Sequence, residues 1–502
     1  MSFIQTIPPN YKVPLVGIEV DPSQAGTPVQ NLEALLVGYK IAAGTAVADV
    51  PIAVGNVQAA KTFFGDGSPL ARAFEKYFTV DQGTPIVCLP ITPPAAGVAA
   101  TGTLTLAASS VVAGTLALYV AGQKVSVSIA TADTAAQVAT KVAAAITAAT
   151  SLPLTATAST NTVALTAKWK GLTGNEIRIE DSILGVNGGE VLPAGLTITY
   201  PANNVLSGGT GVPDWTAGIA NLGDEPYEWV SMPFTDTGSL SAWDLEYGFT
   251  DSGRWGWMRQ TYGSVFSARK DTYSGHAAWG ATYNSPVISV LEDELTSPSP
   301  TWETAAIYTA RAAKSLGADP ALPLHTLELT GHIPAPRQDR FNHSELNALA
   351  QVGLAIKGAL AGNVSTILRE QTQYQKNVFG RPDNAYELVT TLATLATIFR
   401  RLRQGVEQKF GRCKLANDGT RFGPGQVIAT PKNIKAELVA LYRQMEYDGL
   451  VENGDAFIKA LIVQRSTTEP TTVEVLFPPD IINSLRRFNV RAQFRLQFAT
   501  AV

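Results

Sequence analysis

Cysteine and histidine are scarce, two and four in 502 residues. Cys88 and Cys413 cannot build a disulfide framework, and a pair this sparse fits a reducing compartment or a buried structural role. His276, His325, His332 and His343 share no metal-ligand spacing, and His343 four residues after Asp339 is a single pair without further ligands. No zinc site and no cofactor are expected. A Gly-x-x-x-x-Gly-Lys-Ser/Thr loop is missing, and Gly65-Asp66-Gly67-Ser68 reads as a turn followed by a helix cap rather than a phosphate cradle. A Gly-x-Ser-x-Gly elbow is missing too. Charge is thin at 16%, and residues 82–123 carry none. That gap is no membrane span, because Pro85, Pro90, Pro93 and Pro94 interrupt it and Thr103-Leu104-Thr105-Leu106 alternates as a strand does. The first residues have no basic region followed by an apolar run, so no export signal is expected.

What is present is core material. Hydrophobic residues make up 45% of the chain, and the length suggests about three or four domains. The most regular stretch is residues 488–498, where Phe488, Val490, Ala492, Phe494, Leu496 and Phe498 alternate with Asn489, Arg491, Gln493, Arg495 and Gln497. A period of two gives one dry and one wet face only in a strand, so the sequence predicts a strand close to the end of the chain. Its outer edge then wants a partner, in its own sheet or in that of a neighbouring copy. Charge is unevenly spread. From Gly331 onward there are 22 Lys and Arg against 15 Asp and Glu, a balance of +7, which leaves −11 over the first 330 residues. Copies could attract one another head to tail, although solvated surface charge explains the split as well.

Along the chain, prolines at 8, 9, 14, 22 and 28 keep residues 1–30 extended, an arm in which Val16, Ile18 and Val20 sit in a short strand. Residues 31–93 open a core with buried strands near 35–39 and 84–89. Helices are expected from Asn56 and from Ser68, the latter with Ser68 as cap and Pro69 in the first turn. Residues 94–207 are rich in Ala, Thr and Val, with alternating strands at 116–120, 125–129, 163–167 and 177–179. A helix over 133–149 is opened by Thr134 and Gln137 as a capping box. This is a small β-rich unit inserted at an exposed surface. The core resumes over 208–330, where strands alternate with helices and predict a three-layer α/β domain. Residues 331–487 form an α+β part. It contains a helix from Ser344 through Lys357, a longer one from Asn384, and a third from Thr430 and Pro431 to Gly449. Residues 488–502 are the C-terminal arm.

Two features invite chemistry or binding. The long helix ends in a basic run, Arg400, Arg401, Arg403, Lys409 and Arg412. Cations suit a helix C-terminus, and the sharper reading is a docking face for an acidic protein surface. Nucleic acid is not the expected partner, since the run holds too few aromatics for stacking and the whole chain is acidic. Asp236 after a strand and His276 after Gly275 match part of an Asp-His-Ser hydrolase order, but no serine follows in a glycine-framed turn.

Five segments together resemble the contractile tail sheath proteins of Mu-like bacteriophages. They are Leu222-Gly223-Asp224-Glu225-Pro226-Tyr227, Arg254-Trp255-Gly256, Asp319-Pro320-Ala321-Leu322-Pro323-Leu324, Gln371-Thr372-Gln373-Tyr374-Gln375 with Asn377, and Gly449-Leu450-Val451-Glu452-Asn453. The resemblance implies a subtilisin-like core without its active site, a protruding insertion, and terminal arms that add strands to neighbouring subunits. It further implies a structural protein, not an enzyme, forming hexameric rings stacked around a tail tube and contracting to drive that tube through the host envelope. Its partners would be other copies, the tube protein, and baseplate and tail terminator proteins, with no nucleic acid and no membrane insertion. Its place would be the virion, after assembly in the host cytoplasm. The rival readings are a subtilisin-like serine hydrolase and a surface-layer or adhesive protein, the latter lacking the export signal it needs.

Overall fold

The computed structural model describes residues 32–360 and 362–496. Apolar runs with little alternation belong to strands buried on both faces, and Glu33–Tyr39, Glu-Ala-Leu-Leu-Val-Gly-Tyr, is such a run. It lies inside a six-stranded sheet ordered Ile288–Glu294, Ser264–Asp271, Tyr227–Ser231, Glu33–Tyr39, Ile86–Ile91, Ile52–Ala53. Every pairing is parallel except that of the short edge strand Ile52–Ala53. Successive side chains point to opposite faces, so Leu35, Val37 and Tyr39 join one apolar cluster while Ala34 and Leu36 join another. The second cluster is closed by helices Val57–Phe64, Pro69–Val80 and Thr301–Ala318 through Phe64, Phe74 and Ile307. Ser68 caps the second as its sequence predicts, accepting from the backbone N–H of Ala71, and Asn56 caps the first in the same way, accepting from that of Ala59.

On the other face, residues 99–199 supply a four-stranded antiparallel sheet, Leu196–Thr199, Ala99–Ala108, Thr162–Lys170, Leu154–Ser159. A three-stranded sheet, Gln123–Ile129, Gly114–Val120, Ile179–Asp181, accompanies it. The helix Ala135–Ala148 lies between them, opened by the Thr134–Gln137 capping box. The strand expected over 177–179 sits at Ile179–Asp181, because Arg178 bridges Val205 instead. This segment packs closely on the main sheet. Trp169 meets Trp302 edge-on at 5.4 Å. Gly171, at φ +129°, lies so near Tyr39 that a Cβ would stand 3.1 Å from its ring.

Two expected helices have other boundaries. The helix read from Ser344 through Lys357 is His343–Gln351, capped by Asn342, which accepts from the N–H of Ser344 and Glu345. It stops because Gly353 turns the chain at φ 79°, and Ile356–Leu360 becomes a strand paired with Val364–Arg369. The helix read from Asn384 is Val389–Phe410. Leu388 bridges Gln371 instead, and the Glu387 carboxylate meets Arg369 at 2.6 Å, which holds these residues in extended pairing. Pro431–Tyr447 runs as predicted from its Thr430 cap to Gly449 at φ 74°. After Gly454–Ala460 comes a hairpin, Ile462–Arg465 against Val473–Leu476.

Candidate functional site

The hairpin holds the last strands among the described residues, followed only by an isolated antiparallel bridge of Ile481 to Val451. Val473 and Phe477 border an apolar groove of about 360 Å³ that Leu402, Val406, Phe410 and Ile434 also line. Phe477 leans edge-on against Phe457, which stacks on Tyr442 with ring centres 3.7 Å apart. Past Pro478 and Pro479 the backbone is tied down. Glu452 N–H donates to the Asp480 carbonyl at 2.9 Å, Ile482 N–H to the Leu450 carbonyl at 3.2 Å, and Asn453 Nδ2 to Asp480 Oδ2 at 2.7 Å. Ser484 Oγ donates to the Ala321 carbonyl at 3.1 Å, and Arg486 pairs with the buried Glu370.

Beyond that anchor, residues 488–495 belong to no helix or strand. The strand predicted over 488–498 is therefore not formed within this chain across the described residues. A lone strand has no ladder to satisfy its backbone, and the hairpin leaves it unpaired here. The apolar members Phe488, Val490, Phe494 and Leu496 are exposed, Phe494 at 86% and Leu496 at 97%. Ala492 is exposed as well. Phe498 and the N-terminal Val16, Ile18 and Val20 lie outside the described residues.

The basic run is largely answered within its own chain. Arg400 pairs with Glu228 and lies over the Tyr262 ring at 5.4 Å. Arg401 meets Asp448 at 2.5 Å, Arg403 meets Glu407 at 2.8 Å one turn on, and Lys409 meets Glu437 at 2.5 Å. Arg412 is exposed. A cation already beside a carboxylate has less attraction left for a partner, so Arg412 is the clearest outward-facing member of the five.

Asp236 and His276 serve structure. Asp236 caps the helix Thr237–Tyr247, its Oδ1 accepting from Ser239 N–H at 3.0 Å and its Oδ2 from Ser239 Oγ at 2.6 Å. His276 is fully buried with Nε2 at 3.0 Å from the Asp293 carbonyl, and burial lowers its pKa. A serine–histidine–aspartate chain does exist elsewhere, unread from the sequence. Ser365 Oγ lies 2.7 Å from His332 Nδ1, and His332 Nε2 lies 3.1 Å from Asp293 Oδ2. All three residues are buried, so no substrate reaches the hydroxyl. Around them Glu292, Asp293 and Glu294 surround the buried Lys357, whose Nζ lies 3.2 Å from Asp293 and also pairs with Glu294. Burial pushes Glu292 up to about 8 against the pull of Lys357. Burial also works to raise Asp293, but Lys357 and His332 outweigh it and hold its carboxyl below the usual range. Among the described residues, no group of three or more His, Cys, Asp or Glu could hold a metal, and no helix is long and apolar enough to cross a membrane.

The segments Leu222–Tyr227 and Arg254-Trp255-Gly256 turn out to be one construction. Arg254, fully buried, pairs through Nε with Glu246 at 2.8 Å. It donates from its other nitrogens to the carbonyls of Glu225 at 2.5 Å and Gly223 at 3.1 Å, and lies 5.0 Å over the Tyr247 ring. Trp255 Nε1 donates to the Gly263 carbonyl at 2.8 Å. At Gly256 a Cβ would come within 2.1 Å of the Thr250 carbonyl, which excludes any larger residue. Arg259 adds contacts to Asp224 at 2.8 Å and Glu246 at 3.0 Å. The sequence shows these segments side by side with a family; only the fold shows that one grips the other.

Residues 381–495 match the family model described as the phage tail sheath C-terminal domain. Over 494 residues, 98% of this chain and 99% of the relative, the sequence is 36% identical to the Mu-like prophage FluMu tail sheath protein of Haemophilus influenzae. Among solved structures, the fold is similar to a sheath tail protein from Desulfitobacterium hafniense at 11% identity and a TM-score of 0.48, covering 94% of this chain and 97% of that one. A sheath tail protein from Listeria innocua gives 11% identity and a TM-score of 0.48, covering 90% and 93%.

Proposed function

Since the chain belongs to the tail sheath proteins of Mu-like phages, a structural and not an enzymatic family, we propose that it polymerises as stacked hexameric rings around a tail tube and contracts to drive the tube through the host envelope. The observation that carries this is the end of the described chain. Past the Arg486–Glu370 anchor, a segment patterned as a strand joins no strand among the described residues and keeps Phe488, Val490, Phe494 and Leu496 exposed. A neighbour's hairpin Ile462–Arg465/Val473–Leu476, with its apolar groove, suits such a strand. Each backbone hydrogen bond gained there contributes about 0.5 to 1.5 kcal/mol net. Subunits so tethered stay joined while their bodies rotate and slide between two packings.

In this reading residues 31–93 and 208–330 are the subtilisin-like core, residues 94–207 protrude outward, and residues 331–487 are the C-terminal part. Residues 1–30, with Val16, Ile18 and Val20, form the second arm. Arg412 and its neighbours face an acidic partner surface. Tube, baseplate and tail terminator proteins are the remaining partners, and the protein works in the virion after assembly in the host cytoplasm. Deleting residues 488–502 tests the core of it. The truncated subunit is expected to fold with an unchanged melting temperature and to form no tubes under negative-stain electron microscopy. Outright unfolding would show that the strand belongs to its own subunit.

A further inference from the structure

Residues 248–262 contain no helix or strand, yet this loop is held on every side. Arg254 and Arg259 fasten it to Glu246 and to the 223–225 backbone, and Gly256 N–H donates to the Gly253 carbonyl at 2.9 Å while Gln260 N–H donates to that of Gly256 at 3.0 Å. At its tip this scaffold displays Trp257, 69% exposed, and Met258, 65% exposed, with Leu245 also exposed nearby in sequence. Trp257 Nε1 is satisfied by Asp251 Oδ1 at 3.0 Å, and Gln260 Nε2 holds the Trp257 carbonyl at 2.8 Å. The indole is thus fixed before anything touches it. A large aromatic presented on a preorganised loop loses little freedom on docking, and tryptophan is over-represented among the residues that dominate interfaces.

The surroundings indicate what docks. Glu225 and Asp251 around the tip are exposed carboxylates, Asp224 beside them being paired with Arg259, and the first 330 residues carry a net −11. The complement lies in the same chain: residues from 331 onward carry +7, with Arg412, Arg421, Arg443 and Arg487 exposed. We propose that the Trp257–Met258 tip is an anchor between subunits, seated on the basic C-terminal part of a second copy. The contact is heterologous, one surface against a different one, and so extends into an open array instead of closing as a two-fold dimer. The proposal rests on the sheath reading, and the test separates the two.

Purified full-length wild type, Trp257→Ala and Met258→Ser are compared with Val186→Ser, which removes an equally exposed apolar side chain from another loop. Circular dichroism and melting temperature are expected to be unchanged. The Trp257→Ala critical concentration for tube formation rises by about tenfold or more, and Val186→Ser behaves as wild type. Should wild type form no tubes, the sheath reading fails by itself. Sedimentation still reads the contact, since Trp257→Ala must then weaken self-association by about tenfold and added salt must weaken it further. Wild-type assembly and association by Trp257→Ala overturn the proposal. Normal self-assembly with failure only to coat a tail tube overturns it in favour of the tube as occupant.

Discussion

Arg72, in the first turn of Pro69–Val80, and Glu303, in the first turn of Thr301–Ala318, form a buried ion pair at 2.5 Å although they lie 231 residues apart. The guanidinium is fully used. Its Nε donates to Glu303 at 2.7 Å, while its other nitrogens reach Gln123 Oε1 at 2.8 Å, the Ser151 carbonyl at 3.0 Å and the Ala121 carbonyl at 3.1 Å. One side chain therefore ties two core helices to two turns of the inserted segment. Glu303 has a second cation, Lys76, at 3.4 Å.

Removing one partner of such a pair strands a buried charge. Arg72→Ala should cost about 3 to 5 kcal/mol in urea unfolding. The double replacement Arg72→Met with Glu303→Leu should cost clearly less than Arg72→Ala alone. Limited proteolysis of Arg72→Ala should cut near Ala121 and Ser151 sooner than in wild type. Equal cutting would mean the pair does not fasten the insertion.

Glu292 ionises in the folded chain near pH 8 but at an ordinary carboxyl value when unfolded, because burial opposes its charge. Between those values the folded state holds a proton that the unfolded state has released, so this residue's contribution to stability falls as pH rises. The slope is at most about 1.4 kcal/mol per pH unit. Glu292→Gln should therefore gain stability relative to wild type on going from pH 5 to pH 8, measured by denaturant midpoints. His276, neutral in the fold through burial, acts oppositely below its unfolded pKa, and comparing the two proteins cancels it.

Asp236→Ala removes the cap of Thr237–Tyr247 and should cost about 1 kcal/mol, whereas Asp236→Asn keeps a capping oxygen and should cost much less. Neither variant nor wild type is expected to turn over esterase or peptidase substrates. Turnover abolished by both variants would revive the hydrolase.

Gly256→Ala places a methyl against the Thr250 carbonyl. A destabilisation of about 2 kcal/mol or more is expected, together with a red-shifted tryptophan emission as Trp255 loses its packing. An unaltered melting temperature would show that the loop yields without strain.

Legibility followed distance along the chain. Ser68, Thr134 and Thr430 cap helices as read, because a cap satisfies an N–H two or three residues on and needs nothing else. The helix start expected at Asn384 rested on the same kind of local signal and failed, the helix beginning at Val389. There Arg369 pairs with Glu387 and Gln371 bridges Leu388, and these tertiary partners hold the segment extended. The same limit hid the Ser365–His332–Asp293 chain, whose members share no spacing that a motif search could use.

The sequence by itself determined which residues are apolar and with what period, and hence the two-sided burial of Glu33–Tyr39 and the family. Tertiary structure alone decided which groups separated along the chain would meet: Arg72 with Glu303, Arg254 with the carbonyls of Gly223 and Glu225, Lys357 with three carboxylates. Local preferences are set by bonds spanning a few residues. A charge or an arginine fork is satisfied instead by whatever the packing of the whole chain brings within 3 Å or so, and no window of sequence contains that information.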